Sequence, residues 1–67
     1  LTKSERNCLV WCACGKTSVE IGKILSLSEH TVNHYFTLSA TKLGATNRTH
    51  AVAKAIKVGL IDLDEIN

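Results

Sequence analysis

Sixty-seven residues, 45% apolar and 21% charged, make one small domain with no room for a catalytic cleft between two lobes. The formal charge of +2, from eight basic and six acidic residues, permits contact with nucleic acid without announcing it. No apolar run approaches the ~20 residues of a membrane span, and the lack of Pro with only four Gly favours helices joined by short turns.

The first predicted helix covers 3–14. Thr2 followed by Glu5 forms a capping box at its start, and Gly15 stops it. One face holds Cys8, Leu9, Cys12 and Ala13, with Trp11 at the edge. Glu5 points to that same face, where a lone carboxylate is costly unless paired. It either closes the capping box only or is pinned by a cation, for which Arg48 is the candidate. Three clustered cysteines without a partner elsewhere argue against a disulfide framework and for a reducing compartment, the cytoplasm. Such residues pack as small hydrophobes.

A second capping box, Thr17 with Glu20, opens a helix over 18–25. Only Ser26-Leu27-Ser28 separates it from a third helix over 29–43, which Ser28 can cap and Gly44 can end. On that third helix Val32, Phe36, Ser39, Ala40 and Leu43 form the inward stripe. His30, His34, Thr37 and Thr41 fall opposite, flanked by Asn33 on one side and by Thr31 and Leu38 on the other. A merely solvated face would carry Lys and Glu pairs; short donors and acceptors suit a surface that reads something. Asn47 caps a fourth helix over 48–58, stopped by Gly59, with no sustained alternation of period two to suggest strands.

Two helices joined by a three-residue hinge, within 18–37, form a helix-turn-helix motif. Gly22 supplies the small residue where the helices cross, while Ile21, Leu25, Leu27 and Val32 pin both helices and the hinge. The second helix of such a motif presents its outer face to the major groove of DNA. Ser26 stands where Gly is usual, so it either takes an uncomfortable positive φ or the turn is of another type.

The stretches LTKSERNCLVWCACGKTSVEIGKIL, SEHTVNHYFTLSATKLGATNR and AVAKAIKVGLI together resemble the LuxR-type DNA-binding domain over nearly the whole chain. The matches are Leu1, Thr2, Glu5, Leu9, Gly15, Glu20, Ile21, Thr31, Val32, Lys42, Leu43 and Arg48, in order and spacing. Cys8 to Thr17, Asn33 and Asn47 to Ile61 look most like the acyl-homoserine-lactone-responsive, quorum-sensing branch. The phosphorylation-controlled response regulators share the fold. The resemblance implies an all-α, compact four-helix bundle containing a helix-turn-helix, and a bacterial transcription regulator binding double-stranded DNA at an inverted repeat. It also implies a homodimer joined through the fourth helix, contacts with RNA polymerase, and no cofactor in this domain. The chain opens on Leu1, without Met, and is expected to be the C-terminal part of a longer regulator.

Candidate base contacts are Asn33, His34, Thr37 and His30, with Asn33 suited to a bidentate contact with adenine. Candidate phosphate contacts are Lys16, Thr17, Ser18, Thr31 and Lys42, helped by the dipole of the second helix. Val52, Ala55 and Ile56 are the candidate dimer contacts on a fourth helix whose apolar surface exceeds one core contact. The sequence departs from the family at Leu38, Thr41 and Tyr35, where Asn, a basic residue and His are frequent. Leu38 and the scarce positive charge leave a rival reading, a helix-turn-helix used for protein contact. His30 with His34, and Cys8 with Cys12, stand one turn apart, yet neither is a CxxC knuckle and they lie on different helices, so no metal is expected. No phosphate loop, carboxylate pair or activated nucleophile points to an enzyme.

Overall fold

Every helix start is marked by a side chain that accepts a backbone N–H of the first turn. In the computed structural model, which describes residues 1–62 and 64, four α-helices follow: α1 Lys3–Ala13, α2 Ser18–Leu25, α3 Glu29–Leu43 and α4 Arg48–Lys57. Thr2 and Thr17 close reciprocal capping boxes with Glu5 and Glu20; Ser28 accepts from Thr31 N–H, and Asn47 from His50 N–H. The predicted helices are the observed ones to within one residue at the ends of α1 and α4. None is long and apolar enough to cross a membrane among the described residues.

α3 is the central element and packs against α1, α2 and α4. Its buried Val32 and Phe36 meet Cys8 and Leu9 of α1, Ile21 of α2, and Ala51 and Ala55 of α4 in one core, closed by Ile61. Ser39 lies fully inside this core, which is tolerable because its hydroxyl donates to Tyr35 carbonyl at 2.7 Å. The C-terminal end of α3 is tied to α4 by Lys54, whose ammonium donates to the carbonyls of Leu43 and Gly44. Arg6 reaches from α1 to the carbonyl of Leu60 at 3.0 Å.

The hinge between α2 and α3 is the tightest place in the fold. Leu27 N–H donates to Gly22 carbonyl at 2.8 Å, so the chain folds straight back over the last turn of α2. A Cβ on Gly22 would lie 2.5 Å from Leu27 carbonyl oxygen, which is backbone and cannot swing aside. Gly22 therefore makes room for the hinge as well as for the helix crossing. Ser26 does take the left-handed conformation, at φ 59, and it is the single non-glycine residue there among the described residues. The usual turn is kept, and a serine bears its strain.

These two positions should respond in opposite directions. Gly22→Ala is expected to lose about 1–2 kcal/mol, since overpacking outweighs the ~1 kcal/mol that Ala gains in helix propensity. Ser26→Gly should gain about 0.5 kcal/mol, relief of the left-handed penalty less the added freedom of the unfolded chain. Urea denaturation midpoints moving the same way in both variants would contradict this account of the hinge.

Candidate nucleic-acid interface

The burial of Val32, Phe36 and Ser39 turns the opposite side of α3 outward, so His30, Asn33, His34, Thr37 and Thr41 are all exposed. Leu38, at the flank, is half-buried. An open groove runs beside this face, between α3 and the start of α4, lined among others by Asn33, Thr37, Thr41, Thr46, Asn47 and Arg48. The outer face and this groove are the strongest candidate for contact with a ligand of extended polar surface.

Hydrogen bonds within the protein restrict what the face can offer. Thr37 and Thr41 donate their hydroxyl protons to the carbonyls four residues back, Asn33 and Thr37, at 3.2 and 3.0 Å. Each then shows a methyl group and an accepting oxygen to the outside. Asn33 is held more firmly. Its Oδ1 accepts from the Ser18 hydroxyl at 2.6 Å and from Arg48 Nη2 at 3.0 Å. The Arg48 guanidinium in turn lies over the Phe36 ring, 3.9 Å from its centroid. A bidentate contact with adenine needs a free amide oxygen, so in this geometry Asn33 does not offer the contact the sequence suggested.

Three other sequence expectations need correction. The Ser18 side chain is buried and its hydroxyl is given to Asn33, so that hydroxyl is not turned toward a phosphate. Ala55 is fully buried in the core between helices and cannot form part of an outer surface, whereas Val52 and Ile56 are half-buried and reach it. Glu5 pairs with Lys42, not with Arg48: Lys42 Nζ donates to Glu5 Oε1 at 2.8 Å. That turns Lys42 toward α1, although its side chain stays 46% exposed.

Lys16 and Thr17 remain exposed at the start of α2, and Thr31 is half-buried at the start of α3. The Thr31 hydroxyl accepts from Ser28, so its own proton is available to donate. Thr17 N–H and hydroxyl hold the Glu20 carboxyl below the usual carboxylate range, which keeps a negative charge in the first turn of α2. Among the described residues no three His, Cys, Asp or Glu side chains gather closely enough to hold a metal ion. Burial pushes the Cys8 and Cys12 thiols up, away from reactive thiolate.

Four helices with this hinge and this exposed third-helix face define a helix-turn-helix domain. The chain matches the luxR family of bacterial regulatory proteins over residues 1–55, and it belongs to that family. It is 52% identical over 61 residues to the transcriptional activator protein SolR of Ralstonia nicotianae, covering 91% of this chain and 26% of that protein. It is 48% identical over 62 residues to the transcriptional activator protein LuxR of Aliivibrio fischeri, covering 92% of this chain and 25% of that protein. The HTH-type quorum sensing-dependent transcriptional regulator VjbR of Brucella ovis is 47% identical over 66 residues, 98% of this chain and 26% of that protein. The chain thus spans about a quarter of the length of these relatives.

Sequence reasoning missed Arg48 and Ser18 as the groups that orient Asn33. The capping pattern marked Ser18 only as the first residue of α2, and nothing local tells a serine there to look at α3.

The Glu5–Lys42 pair makes stability depend on acid. Lys42 and the Thr2 amide hold the Glu5 carboxyl at about 2, below its ordinary 4.5. The pair's contribution is complete above pH 4.5 and is lost as pH falls through about 2. Lys42→Met leaves the buried carboxylate uncompensated and should cost about 2 kcal/mol at neutral pH, less than for a wholly buried pair because Lys42 is 46% exposed. The difference between Lys42→Met and the unaltered chain should shrink toward zero on titration to pH ~2; a difference independent of pH would contradict an ionic role.

Proposed function

We propose that this chain is the DNA-binding domain of a quorum-sensing-type transcription regulator, forming the C-terminal part of a longer cytoplasmic protein. The observation that carries the proposal is the outward polar face of α3, backed by a buried apolar stripe and tipped out by the Gly22 hinge. The similarity to SolR, LuxR and VjbR, named as transcriptional activators and a transcriptional regulator, supports it. In this reading α3 enters the major groove, and His30, Asn33, His34 and Thr37 meet base edges. Lys16, Thr17 and Thr31 meet phosphates from the starts of α2 and α3, where helix dipoles favour anions. Two copies meet through the outer side of α4 at Val52 and Ile56 and place two α3 helices on an inverted repeat.

Protein contact as the main use of the fold is the weaker reading, because Leu38, the apolar residue that favoured it, is half-buried. Binding to random duplex at several salt concentrations separates the two. Affinity should fall as salt rises, with a log–log slope of about −0.9 for each phosphate that a Lys or Arg neutralises. A slope indistinguishable from zero would overturn the proposal in favour of protein contact.

A further inference from the structure

We infer that Asn33 reads DNA as a donor alone, selecting guanine over adenine, and that Ser18 and Arg48 are the positioning residues that make it so. The inference rests on the DNA-binding reading above and sharpens it. Arg48 settles which end of the amide is which: a guanidinium has no acceptor, so the Asn33 atom 3.0 Å from Nη2 must be oxygen. The Ser18 hydroxyl donates to the same atom at 2.6 Å. Both directions of a carbonyl lone pair are thereby taken. The Nδ2 amino group, with two protons, is the end left to an outside partner, and no partner for it is found among the described residues.

The consequence for base readout follows from the major-groove edges. Guanine shows two adjacent acceptors, N7 and O6, onto which one amino group can donate. Adenine shows N7 beside an N6 amino group, which needs an acceptor and here would face another donor. The lock also spans three helices, since Ser18 belongs to α2, Asn33 to α3 and Arg48 to α4. Arg48 is itself seated 3.9 Å above the Phe36 ring, half-buried, so its direction is fixed by the core. Rotating Asn33 to free its oxygen would leave two donors without an acceptor.

The experiment is enrichment of duplexes from a randomised pool by the unaltered chain and by Asn33→Ala, Ser18→Ala, Arg48→Met and Arg48→Lys. Asn33→Ala identifies the position it reads, as the one where preference disappears. There the unaltered chain should select guanine, and 7-deazaguanine at that position should weaken binding about fivefold. Ser18→Ala and Arg48→Met should shift preference toward adenine at that position alone, as the freed oxygen accepts from N6, while Arg48→Lys keeps guanine. Should Arg48→Met fail to melt cooperatively, Ser18→Ala and the 7-deazaguanine duplex decide. Adenine selected by the unaltered chain, or guanine retained unchanged in Ser18→Ala, overturns the inference and leaves the DNA-binding reading standing. Failure of the unaltered chain to enrich any sequence overturns sequence reading itself, and this inference with it.

Discussion

The domain depends on how α3 is held, and it is held at both ends by contacts that tolerate few residue types. At its start the hinge folds back on Gly22 so closely that a side chain there would strike the Leu27 carbonyl. Near its end Lys42 is drawn to Glu5, a carboxylate 1% exposed that accepts from Thr2 N–H and Lys42 through the same oxygen. The second oxygen of Glu5 is buried and without a partner among the described residues, so the carboxylate leans heavily on Oε1. This contact joins the last turn of α3 to α1, beside the core seat that Val32 and Phe36 give the helix.

The same inward use of charge runs through the rest of the molecule. Of eight basic residues, Lys42 serves Glu5, Arg48 serves Asn33 and Phe36, Lys54 serves the end of α3, and Arg6 serves the Leu60 carbonyl. Lys42, Arg48 and Lys54 thus cross-link helices, and Arg6 ties α1 to the segment after α4. Affinity drawn from few phosphates is modest, and its fall with salt is correspondingly shallow. In the proposed dimer a second copy would compensate, because two weak sites on one duplex act at high effective concentration.

How much of this was legible in the sequence follows from whether the cause is local. Helix ends were, because Thr2, Thr17, Ser28 and Asn47 act within four residues of where they stand, as does Gly44. The face of α3 was too, since Val32 and Phe36 lie about half a helical turn from His30 and His34. The partner of Glu5 was not: Lys42 and Arg48 are both distant cations, and only packing of α1 on α3 decides between them. Ala55 failed for a related reason. The apolar surface of α4 is wide, and which part of it faces α1 and α3 depends on the crossing, not on the stripe. Ser26 adopted the left-handed turn against its preference because the hinge bonds around Gly22 fix the backbone there.

The polar face of α3 is narrower in chemistry than its residue types suggest, and that narrowing is a physical advantage. A free Thr or Asn side chain can donate or accept and must lose rotamer freedom when it chooses. Thr37, Thr41 and Asn33 have already chosen, by bonding to the α3 backbone, to Ser18 and to Arg48. Their ordering is completed in folding rather than at the encounter with a ligand, so less entropy is lost on binding. On the proposed DNA-reading role, a wrong base would meet a donor or an acceptor that cannot turn away, and mismatch would be punished by an unsatisfied buried group. Specificity would then come from side chains whose alternatives the fold has removed.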